Sequence, residues 1–237
     1  MTVFNSFALG IFVILSYLRL YYGYDVFDES FYVAVPYRFF KGARPFIDDR
    51  TLVQGFGLIL QPLFNLYYYF HSSLEGVVLF FRHVYFLLSV IVAALFMLRF
   101  ERKKAGVAVL IIGVFFNNTP ALTANSLGFF FSLVAILIHY DVKRKSELIA
   151  TGIFVALATL CYPPLALGLG VFFLIKSPFI RVGFGSLFIF MYFYFNLSLK
   201  TIWESFHTVS NSSSQNVSFL SFARARGLFL DRPIVFA

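Results

Sequence analysis

Uncharged apolar runs fall at about 3–18, 51–70, 83–98, 105–138, 148–175 and 182–199, and short polar or basic segments separate them. A run of roughly 20 apolar residues is enough for one helix to cross a bilayer. The run 105–138 is too long for one crossing and is broken by N-N-T-P at 117–120, so it predicts two helices. C-Y-P-P at 161–164 splits the run 148–175 in the same way. Proline ends or kinks a helix, and one long tilted helix is the other reading of that run. Two halves are preferred, because they keep the basic clusters on either side on one face of the membrane. The run 51–70 carries Gln54, Gly55, Gly57, Gln61, Pro62 and Asn65, a poor set for facing lipid. It predicts an interfacial or re-entrant helix with Tyr67, Tyr68 and Tyr69 at headgroup level; an ordinary eighth span is the alternative.

The pattern therefore predicts an all-α polytopic membrane bundle of about seven transmembrane helices. Two interfacial juxtamembrane helices are expected in the first outer loop. The membrane module runs over 1–199, the loop over 23–80, and an outer C-terminal loop over 200–237. Composition agrees. Only 13% of the 237 residues are charged, against about a quarter in soluble domains, too few polar groups to cover a soluble core. The first run leads into Arg19 and tyrosines rather than a small-residue cleavage site, so it reads as a span and not a removed signal. With Cys161 as the sole cysteine, no disulfide framework exists.

Charge sets the orientation. R-F-E-R-K-K at 99–104, V-K-R-K at 142–145, and Lys176 with Arg181 are short basic turns, which the positive-inside rule places in the cytoplasm. The net charge of +8 is thus loop bias and implies no nucleic-acid partner. The N-terminus falls inside and the C-terminus outside, in what is expected to be a prokaryotic plasma membrane. The N-x-[ST] matches at Asn211 and Asn216 are then accidental.

Six of the 11 acidic residues lie in the first outer loop: Asp25, Asp28, Glu29, Asp48, Asp49 and Glu75. From Glu29 to Lys41 the pattern is helical, with Phe31, Ala34, Val35 and Phe39 able to face lipid and Arg38 and Lys41 on another side. Carboxylates at the start of such a helix are favoured by its dipole. The plainer reading makes Asp28 an N-cap with its neighbours solvated. Asp48, Asp49 and Arg50 form a second charged group on the same loop, and Arg224 and Arg226 follow the last span on the same side. Carboxylates beside arginines suit a phosphate-bearing lipid substrate. A carboxylate can take a proton from an acceptor, and arginine can neutralise charge on a phosphate leaving group. Arg44, Arg82 and Arg232 read as headgroup contacts. His71, His83 and His207 are too scattered for a metal site.

One span, then D-E-x-x-Y at 28–32, a helix ending in K-G-A-R-P at 41–45, and an acidic-basic pair before an aromatic run resemble a known arrangement. It is similar to the N-terminal module of the GT-C superfamily of membrane glycosyltransferases, of the protein mannosyltransferase and aminoarabinose transferase type (glycosyltransferase family 39). The resemblance covers nearly all of this chain but about half of a typical member. It implies a seven-span module whose large first outer loop carries two juxtamembrane helices. It also implies transfer of a sugar from a polyprenyl-phosphate carrier to a lipid, glycan or protein acceptor at the outer membrane face. Asp28 would be the catalytic carboxylate, a general base, with Glu29 and Tyr32 in the same signature. Asp49 and Arg50 would bind the lipid phosphate, and Arg224 or Arg226 would complete that site.

No cofactor is fixed by the resemblance. A divalent cation (Mg or Mn) is used by some relatives, and Asp28, Glu29 and Asp49 could supply oxygen ligands. The chain departs from the pattern at three places. Asn125 stands where relatives often carry an acid, Tyr162 replaces a lysine in L-C-Y-P-P, and the chain ends at Ala237, inside the loop after the seventh span, where relatives continue. These departures keep a second reading open, a non-catalytic membrane protein such as a pseudoenzyme or a transporter or assembly subunit. Ion-coupled transporters place ionisable groups within spans near the midplane, and the predicted spans offer only His139 and flanking arginines.

Overall fold

The computed structural model describes residues 3–22, 28–45, 47–48, 54–100, 106–111, 120–140, 142–162, 168, 170–194, 200 and 204. These residues are mostly helical, with no strand among them. The helices are α1 (Val3–Leu18), α2 (Asp28–Phe40), α3 (Gly55–His71), α4 (Val77–Arg99), α5 (Ala124–His139), α6 (Lys145–Cys161), α7 (Val171–Lys176) and α8 (Pro178–Tyr194). A 3-10 turn, Arg19–Tyr21, closes α1, and residues 106–111 are also helical. Expectations for Asp25, Asp49, Arg50, Arg224, Arg226 and the C-terminal loop other than Lys200 and Glu204 fall outside the described residues, as does the N-N-T-P segment except for Pro120.

Helix ends follow local chemistry. Thr123 caps α5: its hydroxyl accepts from the Ser126 amide at 3.1 Å, and the Ser126 hydroxyl accepts from the Thr123 amide at 2.8 Å. This reciprocal box satisfies two amides that a helix start otherwise leaves open. Glu147 caps α6, its carboxylate accepting from the amides of Lys143 and Arg144 at 2.7 and 3.1 Å. α2 ends at Phe40 and is closed by Gly42, whose φ of 92° is left-handed. Gly42 N–H donates to Phe39 and Ala43 N–H to Arg38, each at 3.0 Å, the paired closure that glycine permits at a helix C-terminus. α6 ends at Cys161, just before the proline pair, and Ser177 separates α7 from α8. Both breaks stand where the sequence predicts them.

α4 is apolar on its exposed side as well as on its buried one. Phe81, Arg82, Tyr85, Ser89, Val92 and Phe96 form its buried stripe, while Leu87, Ile91, Leu95 and Leu98 are exposed on the opposite side. Leu98 is 78% exposed. A helix apolar on every side suits lipid rather than water. Among the described residues, α4 alone is long and apolar enough to cross a membrane. Its 23 residues make about 35 Å at 1.5 Å per residue, against a hydrocarbon core of about 30 Å. Shorter apolar helices lie at Leu9–Tyr21, Ala124–His139 and Pro178–Tyr194.

Two packing regions share α5. In the first, Val35 and Phe39 of α2, Phe56, Leu60 and Phe64 of α3, Phe81 and Tyr85 of α4 and Phe130 of α5 form an aromatic-rich core. The apolar face of α2 therefore meets protein, where the sequence suggested lipid; Ala34 alone of that face is exposed. The likeness of apolar protein and apolar lipid explains the difference, since periodicity identifies a face and not its partner. The other predicted juxtamembrane helix, α3, is likewise packed on protein along its first half, with Tyr69 80% exposed near its end.

In the second region Ala135, Val155, Phe173 and Ile180 join α5 through α8. Here α6 and α8 cross in close contact. A methyl group added at Gly152 would overlap the Ile180 carbonyl oxygen, and one at Gly183 the Ile149 carbonyl oxygen. Small residues at such crossings let helix backbones approach within a membrane. Leucine at Gly152 or Gly183 is expected to cost at least ~2 kcal/mol by overpacking. Thermal unfolding of each variant in detergent tests this, and unchanged melting would show that the crossing tolerates side chains.

Candidate functional site

The polar centre of the first region is built from three separate pieces of chain. The 3-10 turn after α1 offers the carbonyls of Leu20 and Tyr22, α2 offers Glu29 in its first turn, and α4 offers Arg82. Arg82 Nε donates to Glu29 Oε1 at 2.7 Å and Nη2 to Oε2 at 2.6 Å. Nη1 donates to the Leu20 carbonyl at 2.7 Å and more weakly to that of Tyr22 at 3.4 Å. Both residues are buried, Glu29 2% and Arg82 4% exposed. Removing two ions from water costs several kcal/mol per ion, and the attraction offsets this only with good geometry and satisfied hydrogen bonds. A bidentate guanidinium–carboxylate fork with two further acceptors meets that condition.

This pairing was not legible in the sequence, where Arg82 reads as a headgroup contact. Glu29 and Arg82 lie 53 positions apart, so no local pattern joins them. One signal did exist. Arg82 stands inside an apolar helix, and an ionisable residue there calls for a named partner.

Of the predicted site residues, Asp28 is the first residue of α2, its side chain outside the described set. Glu29, expected among the catalytic carboxylates, has both oxygens engaged by Arg82. Tyr32, one turn further on, is half-buried and meets Phe56 edge-on, ring centroids 5.0 Å apart. α2 thus seats its D-E-x-x-Y end on the start of α3, beside fully buried Gln54. Asn125 is half-buried in the first turn of α5, on an element packed against α3 and α4.

Asp48 belongs to the turn after α2. Its carboxylate accepts from the Arg44 amide at 2.7 Å and from Arg44 Nε and Nη2 at 3.2 and 3.1 Å. Arg38 Nη2 donates to the Asp48 carbonyl at 3.3 Å. Asp48 is therefore held in a closed turn tied to the end of α2.

Comparison with protein-family models, with curated proteins and with solved structures finds no match. No group of three or more His, Cys, Asp or Glu side chains that could hold a metal ion occurs among the described residues. Asp49 and the Asp28 side chain, two of the oxygen donors considered for a divalent cation, lie outside them. Beside the buried pair, on the outside of the bundle, His83 Nε2 lies 3.3 and 3.2 Å from the hydroxyls of Tyr17 and Tyr21. Its Nδ1 lies 2.7 Å from the Leu79 carbonyl, within hydrogen-bond reach of that acceptor. Such amphipathic clusters suit the membrane–water boundary.

Two outcomes are expected. Glu29→Leu or Arg82→Met alone leaves a buried charge unpaired and should destabilise by about 3–5 kcal/mol. The double variant should recover most of that loss, as thermal unfolding would show; additive losses would mean that the pair is not the joint.

Asp48 supplies a pH dependence. Hydrogen bonds from the Arg44 side chain and backbone hold its carboxyl below the usual range. A depressed folded value contributes stability that is full above the unfolded pKa and is lost as pH falls through the folded one. Hydrogen exchange at the Arg44 amide, corrected for intrinsic rates, should accelerate once pH drops below about 4. Asp48→Asn should remove that pH dependence.

Proposed function

We propose that this protein is a membrane glycosyltransferase that uses a polyprenyl-phosphate-linked sugar, built as a seven-span module with the N-terminus in the cytoplasm and the first loop outside. The observation that carries the reading is the position of Asp28. It opens α2 immediately before a carboxylate locked to Arg82 of α4, which also holds the carbonyl of Leu20. A base must be held in position to work, and the lock holds the backbone that presents Asp28. The helix dipole favours its ionised form.

In the proposed reaction the acceptor hydroxyl or amine attacks the anomeric carbon, and the bond to the carrier phosphate breaks with inversion. Asp28 takes the acceptor's proton and the carrier leaves as a phosphate. Glu29 keeps Arg82 neutralised and α2 fixed, and Tyr32 steadies the same helix against Phe56. Asp49 and Arg50, with Arg224 or Arg226, would meet the carrier phosphate, and Asn125 would line the acceptor side. The seven-span reading is supported by the exposed apolar stripe of α4, the shorter apolar helices, and basic turns between predicted crossings.

Asp28→Asn should lower sugar transfer by about 10²–10⁴-fold, the usual worth of a positioned base, with little change in thermal stability. Arg50→Ala should weaken use of the lipid-linked donor. The assay is glycosylated product in cells lacking the native copy, with expression checked. Undiminished product from Asp28→Asn would sink the mechanism and favour the non-catalytic reading.

A further inference from the structure

A cleft of about 480 Å³ opens between the ends of α4 and α5 and the start of α6. Leu95, Leu98, Leu137 and Ile138 line it, with Arg99 and Glu147 as its charged members. Its size lies in the range of pockets that take small molecules, about 300–1,000 Å³. Leu95 and Leu98 belong to the exposed stripe of α4, so the cleft opens sideways from the bundle. Among the described residues its polar end is rich in basic side chains. Arg99 is exposed there, and Glu147, the one carboxylate lining the cleft among the described residues, accepts from the backbone amides of Lys143 and Arg144, whose exposed side chains lie beside it. An apolar trough with a basic mouth matches a molecule that has an apolar tail and an anionic head.

We propose that this cleft binds an anionic phospholipid of the cytoplasmic leaflet, an acyl chain lying along the four apolar side chains and the phosphate meeting Arg99 beside Lys143 and Arg144. The proposal rests on the membrane-spanning reading but not on sugar transfer. It places the lipid at the basic turns, away from the loop that carries Asp28. Basic pockets between membrane helices on the cytoplasmic side are suited to such headgroups. Zwitterionic lipids fit the trough but gain nothing from the mouth.

The test uses the full chain, reconstituted in phosphatidylcholine vesicles with and without phosphatidylglycerol. Retention of labelled phosphatidylglycerol is read against labelled phosphatidylcholine. Wild-type protein should prefer the anionic lipid by about fivefold or more, and Arg99→Gln should remove about fivefold, the equivalent of ~1 kcal/mol per surface cation. Leu95→Trp and Ile138→Trp fill the trough and should abolish the preference with melting unchanged. Lys41→Gln, at the other basic site after α2, should leave it intact, and millimolar inorganic phosphate should not compete. Insertion without preference, or preference insensitive to the tryptophan variants, overturns the lipid site alone. Failure to insert into either vesicle overturns the membrane reading and this proposal together. Displacement by inorganic phosphate overturns the lipid as ligand.

Discussion

The Glu29–Arg82 pair is the constraint on which the first half of the bundle depends. Two ions held out of water require each other. Arg82 also ties down the carbonyls of Leu20 and Tyr22, so a single guanidinium joins the end of α1, the start of α2 and the body of α4. The packing of α2 inherits that joint. With its first turn fixed, α2 can lay Val35 and Phe39 into the core and set Tyr37 and Phe40 against Phe64 of α3. A hydrophobic replacement of matched volume could be as stable. What the ion pair adds is direction: an apolar contact is satisfied by many rotations of a helix, and a bidentate fork by one.

The second half is held by different physics. Around α6 and α8 the contacts are small side chains and close backbones, with Gly152 and Gly183 facing the carbonyls of Ile180 and Ile149. If lipid surrounds these helices, burying leucine against leucine gains little over leaving it in acyl chains, and close packing must do the work instead. Around α3 the core is built instead from large aromatic rings packed against one another. The two packing modes differ in kind, and α5, shared by both cores, couples them.

Helix ends were the legible part of the fold. The apolar run ending at residue 18, the proline pair after Cys161, the Ser177–Pro178 turn and the helical pattern opening near Glu29 all mark real boundaries, because caps and prolines act locally. Partners were less legible. Val35 and Phe39 were assigned to the correct face of α2 and to the wrong neighbour, since apolar periodicity is indifferent to what covers it. Of the candidate site, Glu29, Tyr32 and the first position of α2 are brought to one end of that helix, and Asn125 to the start of α5. Asp49, Arg50, Arg224 and Arg226 lie outside the described residues. Arg82, which pairs with Glu29, reads in the sequence as a headgroup contact, because a partner 53 positions away leaves no trace in the spacing.

The pair also separates two carboxylates that the sequence treats alike. In D-E-x-x-Y, Asp28 and Glu29 are adjacent acids on a helix start, and either could be named the base. A base needs a lone pair directed at the acceptor's proton, and it must exchange that proton during turnover. Glu29 cannot do so without releasing Arg82 as an unpaired buried cation, a cost of several kcal/mol added to every cycle. That expense argues for Glu29 as architecture, and in the proposed reaction it leaves proton transfer to Asp28. If the chain has catalytic activity, adjacency in the motif is then a division of labour, one acid fixing the helix so that the other can act from it.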